Sequence, residues 1–202
     1  MTVVKTFLRL LVCIGFFTTA TAQEAGYAIC VTCHGVDGAG NVALNSPAIA
    51  GQESWYLETQ LKNFKTGIRG THKADMYGMQ MRPMVMTLAD DAAITRVSAY
   101  ISSMDPALVT NTVEGNIGTG KALYAVCAAC HGQDAKGLKA MNSPDLTIQQ
   151  DWYLVRQLQN FKSGVRGSDP KDVFGQQMRP MAMILANDQA INDVVAYINS
   201  LR

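Results

Sequence analysis

A five-residue pattern that occurs twice constrains this chain more than any other feature. Residues 30–34 read Cys-Val-Thr-Cys-His, and residues 127–131 read Cys-Ala-Ala-Cys-His. The pattern C-x-x-C-H is typical of covalent haem attachment, because two thiols three positions apart can bond to two vinyl groups of one macrocycle. The adjacent imidazole then binds the iron as its proximal ligand. The sequence therefore predicts two haem c groups, attached through Cys30, Cys33, Cys127 and Cys130, with His34 and His131 as iron ligands.

Paired cysteines also occur in redox disulfides and in zinc sites. The chain has five cysteines and three histidines, and only Cys13 and His72 lie outside the two motifs. A single zinc site built from both Cys pairs is arithmetically possible, but it leaves the two adjacent histidines unexplained. Haem is the interpretation that uses every residue of both motifs.

The N-terminus has the pattern of a secretory signal peptide. Lys5 and Arg9 supply positive charge, residues 7–17 are mostly apolar, and residues 20–22 read Ala-Thr-Ala, a small-x-small cleavage site. We therefore predict a signal peptide over residues 1–22, export to the periplasm, and a mature chain that begins at Gln23. The apolar part is shorter than the roughly 20 residues that span a bilayer, so no transmembrane segment is expected after cleavage.

A lipoprotein would be modified at Cys13, but Val12 precedes it where a small residue is expected. Cys13 is therefore predicted to leave with the signal peptide. The whole chain has 17 basic and 16 acidic residues, so loss of Lys5 and Arg9 leaves a net charge of −1. This balance gives no indication of a nucleic-acid partner or of an anionic membrane surface.

An internal repeat predicts the domain organisation. Residues 27–104 align with residues 124–201 at a constant offset of 97, without a gap, and about half of the aligned positions are identical. We predict a first lobe over residues 23–104, a linker over 105–119 and a second lobe over 120–202. Lobes of about 80 residues are small for an independent core. Each lobe is therefore expected to be largely unfolded without its haem.

Both lobes are predicted to be all-α. Helices are expected over residues 24–33, 120–130 and 53–66, with Gly67 and Gly164 as helix stops. Asp or Asn at positions 90 and 187 is expected to cap the last helix of each lobe. The predicted buried face of those last helices consists of Ile94, Val97, Tyr100 and Ile101 in the first lobe and Ile191, Val194, Tyr197 and Ile198 in the second.

A haem iron with one histidine ligand has a sixth position, which a methionine thioether often fills in electron-transfer sites. Residues 81–86 and 178–183 each contain three methionines. Since three compete for one position, the other two in each lobe are expected to pack in the core. His72 aligns with Asp169 in the repeat, so we interpret it as a surface histidine rather than a ligand.

The chain resembles the cytochrome c4 family, class I cytochromes c with two tandem monohaem lobes. The resemblance covers the whole mature chain and rests on the paired C-x-x-C-H motifs, on Ala-Gly-Gln at 50–52, and on the Met-x-Pro-Met segments with their following Leu-Ala-Asp/Asn-Asp. It implies that Met81 and Met178 are the sixth ligands. It also implies that the carbonyls of Pro47 and Pro144 hold the Nδ1–H groups of His34 and His131.

The resemblance implies an electron-transfer protein rather than an enzyme. Its expected route runs from a quinol-oxidising complex or a periplasmic dehydrogenase to a terminal oxidase or reductase. One alternative is a dihaem peroxidase, which needs an open or displaceable axial site, and another is a fixed cytochrome subunit of a dehydrogenase or oxidase complex. A further set of residues is expected to contact haem propionates, with helix packing as the alternative for the aromatic residues and a solvated side chain as the alternative for each arginine: Trp55, Tyr56, Arg69, Trp152, Tyr153 and Arg166.

Overall fold

The computed structural model describes residues 18–202, and within this range the chain is helical without a β-strand. The predicted all-α class is therefore confirmed, while most of the predicted signal peptide, residues 1–17, lies outside the described part. The helices are α1 Thr18–His34, α2 Ser54–Thr66, α3 Met76–Met86, α4 Asp91–Ser102, α5 Ile117–Tyr124, α6 Ala128–His131, α7 Asp151–Ser163, α8 Val173–Met183 and α9 Asp188–Asn199. Single 3₁₀ turns lie at Val42–Leu44 and Lys139–Met141.

The predicted C-terminal ends of α2 and α7 and the predicted caps of α4 and α9 are confirmed, whereas α1 begins at Thr18, before the predicted start at residue 24. Gly67 and Gly164 end α2 and α7 with φ angles of 79° and 76°, a left-handed conformation that glycine adopts without a Cβ clash. The side chain of Asp90 accepts a hydrogen bond from the Ala93 amide at 2.7 Å at the start of α4. Asn187 caps α9 in the same way. These local signals fix the ends of the long helices in both lobes.

The second haem-motif helix differs from its prediction. A single helix was expected over residues 120–130, but α5 ends at Tyr124 and α6 begins at Ala128. The Cys127 amide donates to the carbonyl of Tyr124, three residues back, at 2.8 Å. This tighter bond replaces the i→i−4 pattern of an α-helix and divides the segment in two.

The methionine-rich segments form helices that the pattern did not predict. α3 contains Pro83 and α8 contains Pro180 in its interior. Proline normally disfavours such positions, because it has no N–H to donate within the helix. Asp75 accepts a hydrogen bond from the Gly78 amide at 3.0 Å and caps α3, and Asp172 caps α8 equivalently. Capping thus supports the start of each helix, and proline lies beyond its middle.

Each lobe has its own apolar core, built on its last helix. α4 packs against α1 and α2, and α9 packs against α5 and α7. The predicted apolar faces are buried except for the two tyrosines, which are only partly buried. At the α5–α9 contact, a Cβ on Gly120 would lie 1.9 Å from the carbonyl oxygen of Asp193. Glycine is therefore required for the close approach of these two helices.

The linker is anchored to the second lobe by Asp151, whose side chain is completely buried. Its carboxylate accepts hydrogen bonds from the Val113 amide at 2.8 Å and from the Thr112 hydroxyl at 2.9 Å. The Trp152 amide and the Asn199 side chain also donate to it. The first residue of α7 thus attaches the linker at a fixed place. Between Thr18 and Arg202, no helix has the length and apolar character needed to cross a membrane.

Candidate haem sites

One continuous cavity passes through both lobes, and all eight predicted haem-binding side chains line it. The first lobe contributes Cys30, Cys33, His34 and Met81, and the second contributes Cys127, Cys130, His131 and Met178. Within residues 18–202, no group of three or more Cys, His, Asp or Glu side chains is placed to hold a metal ion. The two Cys pairs therefore do not form a shared zinc site in this part of the chain.

Both motif histidines are buried and held in one orientation. His34 Nδ1 lies 2.8 Å from the carbonyl oxygen of Pro47, and His131 Nδ1 lies 3.1 Å from that of Pro144. A carbonyl only accepts, so each Nδ1 must carry the proton and each Nε2 keeps its lone pair. Burial lowers the pKa of both imidazoles, against the opposing effect of the proline carbonyls. Both rings are therefore neutral and able to bind iron.

The four cysteines are partly buried and form no disulfide within the described range. Burial, with a smaller contribution from Cys33, raises the pKa of Cys30 to about 11. Burial also raises the pKa of Cys127. Zinc ligation and disulfide exchange both require the thiolate form. Burial therefore favours the neutral thiol form of Cys30 and Cys127 beside the mostly apolar cavity.

The structure narrows the methionine candidates from three to two in each lobe. Met81 and Met84 line the cavity, as do Met178 and Met181, whereas Met86 and Met183 do not. Met86 is 61% exposed and Met183 is 60% exposed. The prediction that the remaining methionines pack in the core is therefore wrong, because α3 and α8 turn those side chains toward solvent. Met81 packs against the first core, as expected of a side chain that faces the cavity.

Arg69 and Arg166 join the two lobes through reciprocal contacts. Arg69 donates to the Tyr153 hydroxyl at 2.9 Å, and Arg166 donates to the Tyr56 hydroxyl at 3.1 Å. Each arginine also binds the glutamine of its own lobe, Gln60 for Arg69 and Gln157 for Arg166.

Burial raises the pKa of Tyr153, but the positive charges of Arg69 and Arg166 outweigh that effect and lower it. Arg166 is only 9% exposed, so the simple alternative of a solvated arginine is wrong for it. The two guanidinium groups and both tyrosines line the cavity where the lobes meet.

The residues around the cavity fit a covalently bound haem in each lobe. Each half offers two thiols, one imidazole with a free Nε2, and two candidate thioethers, among mostly apolar side chains. The guanidinium groups at the lobe interface add positive charge of the kind that propionates require. His72 is exposed, which confirms that it lies on the surface and outside this set.

Comparisons with known proteins agree with this geometry. The profile of the Cytochrome c family matches residues 22–105 and again residues 117–202. The chain belongs to the cytochrome c family. Its likeness to the dihaem cytochromes c4 extends over most of its length, and it carries two covalently bound haem c groups, one in each tandem unit.

Three relatives illustrate the likeness. Cytochrome c4 of Azotobacter vinelandii is 30% identical over 90% of this chain and 89% of its own length. The thiosulfate dehydrogenase electron acceptor of Stutzerimonas stutzeri (strain A1501) is 31% identical over 82% of this chain and 77% of its own. The crystal structure of reduced cytochrome c4 from Pseudomonas stutzeri has a TM-score of 0.68, with 26% identity, and the match covers 91% of this chain and 98% of that one. This cytochrome is therefore a dihaem electron-transfer protein.

Sequence reasoning missed the side chains that reach from one lobe into the other. Gln150 accepts from the Ala48 amide at 2.7 Å and donates to the Ala39 carbonyl at 2.8 Å. Arg156 reaches Asn45 of the first lobe. Both residues lie at positions where the two repeats differ, which is the one signal that would have singled them out.

Proposed function

We propose that this cytochrome carries single electrons in the periplasm, with both irons closed by a histidine and a methionine. His34 and Met81 would ligate the first iron, and His131 and Met178 the second. Cys30, Cys33, Cys127 and Cys130 would form the thioether bonds. When bound, the haem supplies an iron that changes reversibly between the ferric and ferrous states.

The observation that carries the proposal is that the two sites are alike. In both, a histidine with a free Nε2 and a methionine of a facing helix line the same cavity. An enzyme of the peroxidase type needs one iron with an open or displaceable position. Neither lobe lacks a methionine at the aligned place, which supports transfer of electrons over chemistry on a bound substrate.

The proposed donor is a quinol-oxidising complex or a periplasmic dehydrogenase, and the proposed acceptor is a terminal oxidase or reductase. The relative described as an electron acceptor of thiosulfate dehydrogenase supports a dehydrogenase as donor. Periplasmic location follows from the predicted signal peptide and from the attachment motifs. A free shuttle and a fixed subunit of such a complex would transfer electrons through the same two haem centres.

The test is an optical spectrum of the purified protein with haem counted per chain, before and after addition of carbon monoxide to the reduced form. We expect two haems, a near-infrared methionine–iron band and no carbon monoxide shift. The variants M81A and M178A should each open one haem to carbon monoxide. M86A and M183A serve as matched controls and should leave both haems closed. A wild-type haem that binds carbon monoxide would instead favour the peroxidase alternative.

A further inference from the structure

Arg156 places a positive charge from the second lobe beside the haem site of the first lobe. Its Nη2 donates to Asn45 Oδ1 at 2.6 Å, and its guanidinium carbon lies 4.4 Å from the centre of the Tyr77 ring. Asn45 leads into the turn of Pro47, the partner of His34, and Tyr77 belongs to α3, which carries Met81. Asn45, Tyr77 and Arg156 all line the cavity.

The second lobe has no equivalent of this contact. Thr59 aligns with Arg156, and its hydroxyl donates to the Trp55 carbonyl of its own helix at 2.9 Å. Asn142 and Phe174 align with Asn45 and Tyr77, and both are exposed, Phe174 by 41%. Arg156 also lies over the Trp152 ring of its own lobe, at 5.0 Å from the ring centre, but its side-chain hydrogen bond and its closer ring contact are with the first lobe. The first haem site thus has a cation from the other lobe beside its proline turn and α3, and the aligned Thr59 supplies none to the second site.

The acidic residues differ between the lobes in the opposite way, because a carboxylate of the second site has no acidic counterpart in the first. Asp145 directly follows Pro144, the partner of His131, and Ala48 is its counterpart in the first lobe. The Asp145 amide donates to the Glu53 carboxylate, at 3.2 and 3.3 Å to its two oxygens. The equivalent amide of Ala48 donates instead to the neutral side chain of Gln150. Asp145 therefore lines the cavity of the second lobe with the Glu53 carboxylate against its amide, where the first lobe has Ala48 with the neutral Gln150 side chain against its amide.

We infer that these unmatched charges make the haem of the first lobe the centre of higher reduction potential. The inference rests on the proposed ligation of one haem in each lobe. Reduction adds one negative charge, so a nearby cation favours the ferrous state and nearby carboxylates disfavour it.

Two pairs of aligned cations make equivalent contacts in both lobes and therefore contribute little to the difference in reduction potential: Arg69 with Arg166, and Lys65 with Lys162. With both haems bound, an electron on the second-lobe iron would pass to the first-lobe iron, so that the second is oxidised as the first is reduced.

A redox titration of the intact dihaem protein, followed by NMR of the haem methyl groups of each lobe, tests the inference. R156Q keeps an amide for Asn45 and removes the charge, whereas R156K keeps the charge. R156Q should lower the ferrous-to-ferric ratio of the first haem at least threefold at a fixed potential. Since a tenfold change corresponds to about 59 mV for one electron, this is a fall of about 28 mV in its reduction potential. R156K should restore most of that shift. R96T removes an exposed arginine of the first lobe and should change neither haem comparably.

The complementary variants add or remove charge at the second site. T59R should raise the potential of the second haem, and E53Q should raise it as well. Burial raises the pKa of Glu53, outweighing its backbone hydrogen bonds, so the titration is carried out at pH 8, which favours the ionised carboxylate.

A first haem of lower potential than the second, or an R156Q variant that shifts both haems equally or neither, would overturn the inference. If the spectrum showed fewer than two six-coordinate haems, the proposed function itself would fail. The two failures are therefore distinguishable in the same samples.

Discussion

Replacement of Asp151 by asparagine should destabilise the cytochrome by about 3 kcal/mol. The carboxylate is completely buried and accepts from five donors, two on Oδ1 and three on Oδ2. An asparagine keeps one oxygen, and its NH₂ group then faces at least two of those donors. A hydrogen bond to a charged group contributes about 1.5–3 kcal/mol, so two lost bonds correspond to about 3 kcal/mol at the low end.

The assay is thermal unfolding of the haem-loaded protein, followed by circular dichroism. For a chain of this length, about 3 kcal/mol corresponds to a fall of about 6–12 °C in Tm. Ser54 is the aligned residue of the first lobe and has no linker to hold, so S54A is the matched control and should shift Tm by no more than about 2 °C. A D151N variant that melts within 2 °C of the wild type would refute the reasoning.

The effect of D151N should also depend on pH. Burial alone would raise the pKa of Asp151, but the hydrogen bonds from Thr112, Val113 and Trp152 outweigh it and lower the pKa. A carboxyl whose pKa is lower in the folded state contributes stability above its unfolded pKa of about 3.9, and loses that contribution as pH falls through the folded value. The Tm difference between wild type and D151N should therefore be full at pH 7 and shrink below about pH 4. An equal difference at pH 3 and pH 7 would contradict this.

Two further predictions concern the helices. G120A should destabilise the protein by about 1–3 kcal/mol, because its Cβ would lie 1.9 Å from the Asp193 carbonyl oxygen. The control G118A should have less effect, because its Cβ would lie 3.3 Å from the Asn116 side-chain oxygen. Equal urea midpoints for the two variants would contradict this. Loss of haem attachment in the double variant C30S/C33S should remove about half of the helical far-UV signal, because a lobe this small depends on its macrocycle, and a fully helical spectrum would show that the first lobe folds without haem.

Local patterns were sufficient to predict much of this molecule. The C-x-x-C-H motifs, the glycines that end α2 and α7, and the caps at Asp90 and Asn187 each act within a few residues, so a sequence window contains all of their causes. The division between α5 and α6 was not predicted, because the turn at Cys127 breaks a segment that reads as continuous helix. α3 was missed because Pro83 disfavours a helix that capping by Asp75 supports.

The contacts between lobes were beyond such reasoning. Asp151 meets its linker donors about 40 positions away in the chain, and Arg156 meets Asn45 more than 100 positions away. Nothing in the neighbourhood of either residue indicates its partner. Comparison of the two repeats marks both positions as different, but the difference acquires meaning only when the fold shows what each side chain reaches.

The reciprocal contacts of Arg69 and Arg166 have the pattern of an isologous dimer interface. Arg69 of the first lobe binds Tyr153 of the second, and the aligned Arg166 of the second lobe binds the aligned Tyr56 of the first. Two identical subunits related by a twofold axis contact each other in this way. Here a covalent connection joins the two halves, so their pairing is an intramolecular event with an effective concentration in the millimolar range. The two haem sites therefore stay paired at any dilution, whereas two separate lobes with the same surfaces would dissociate as their concentration fell.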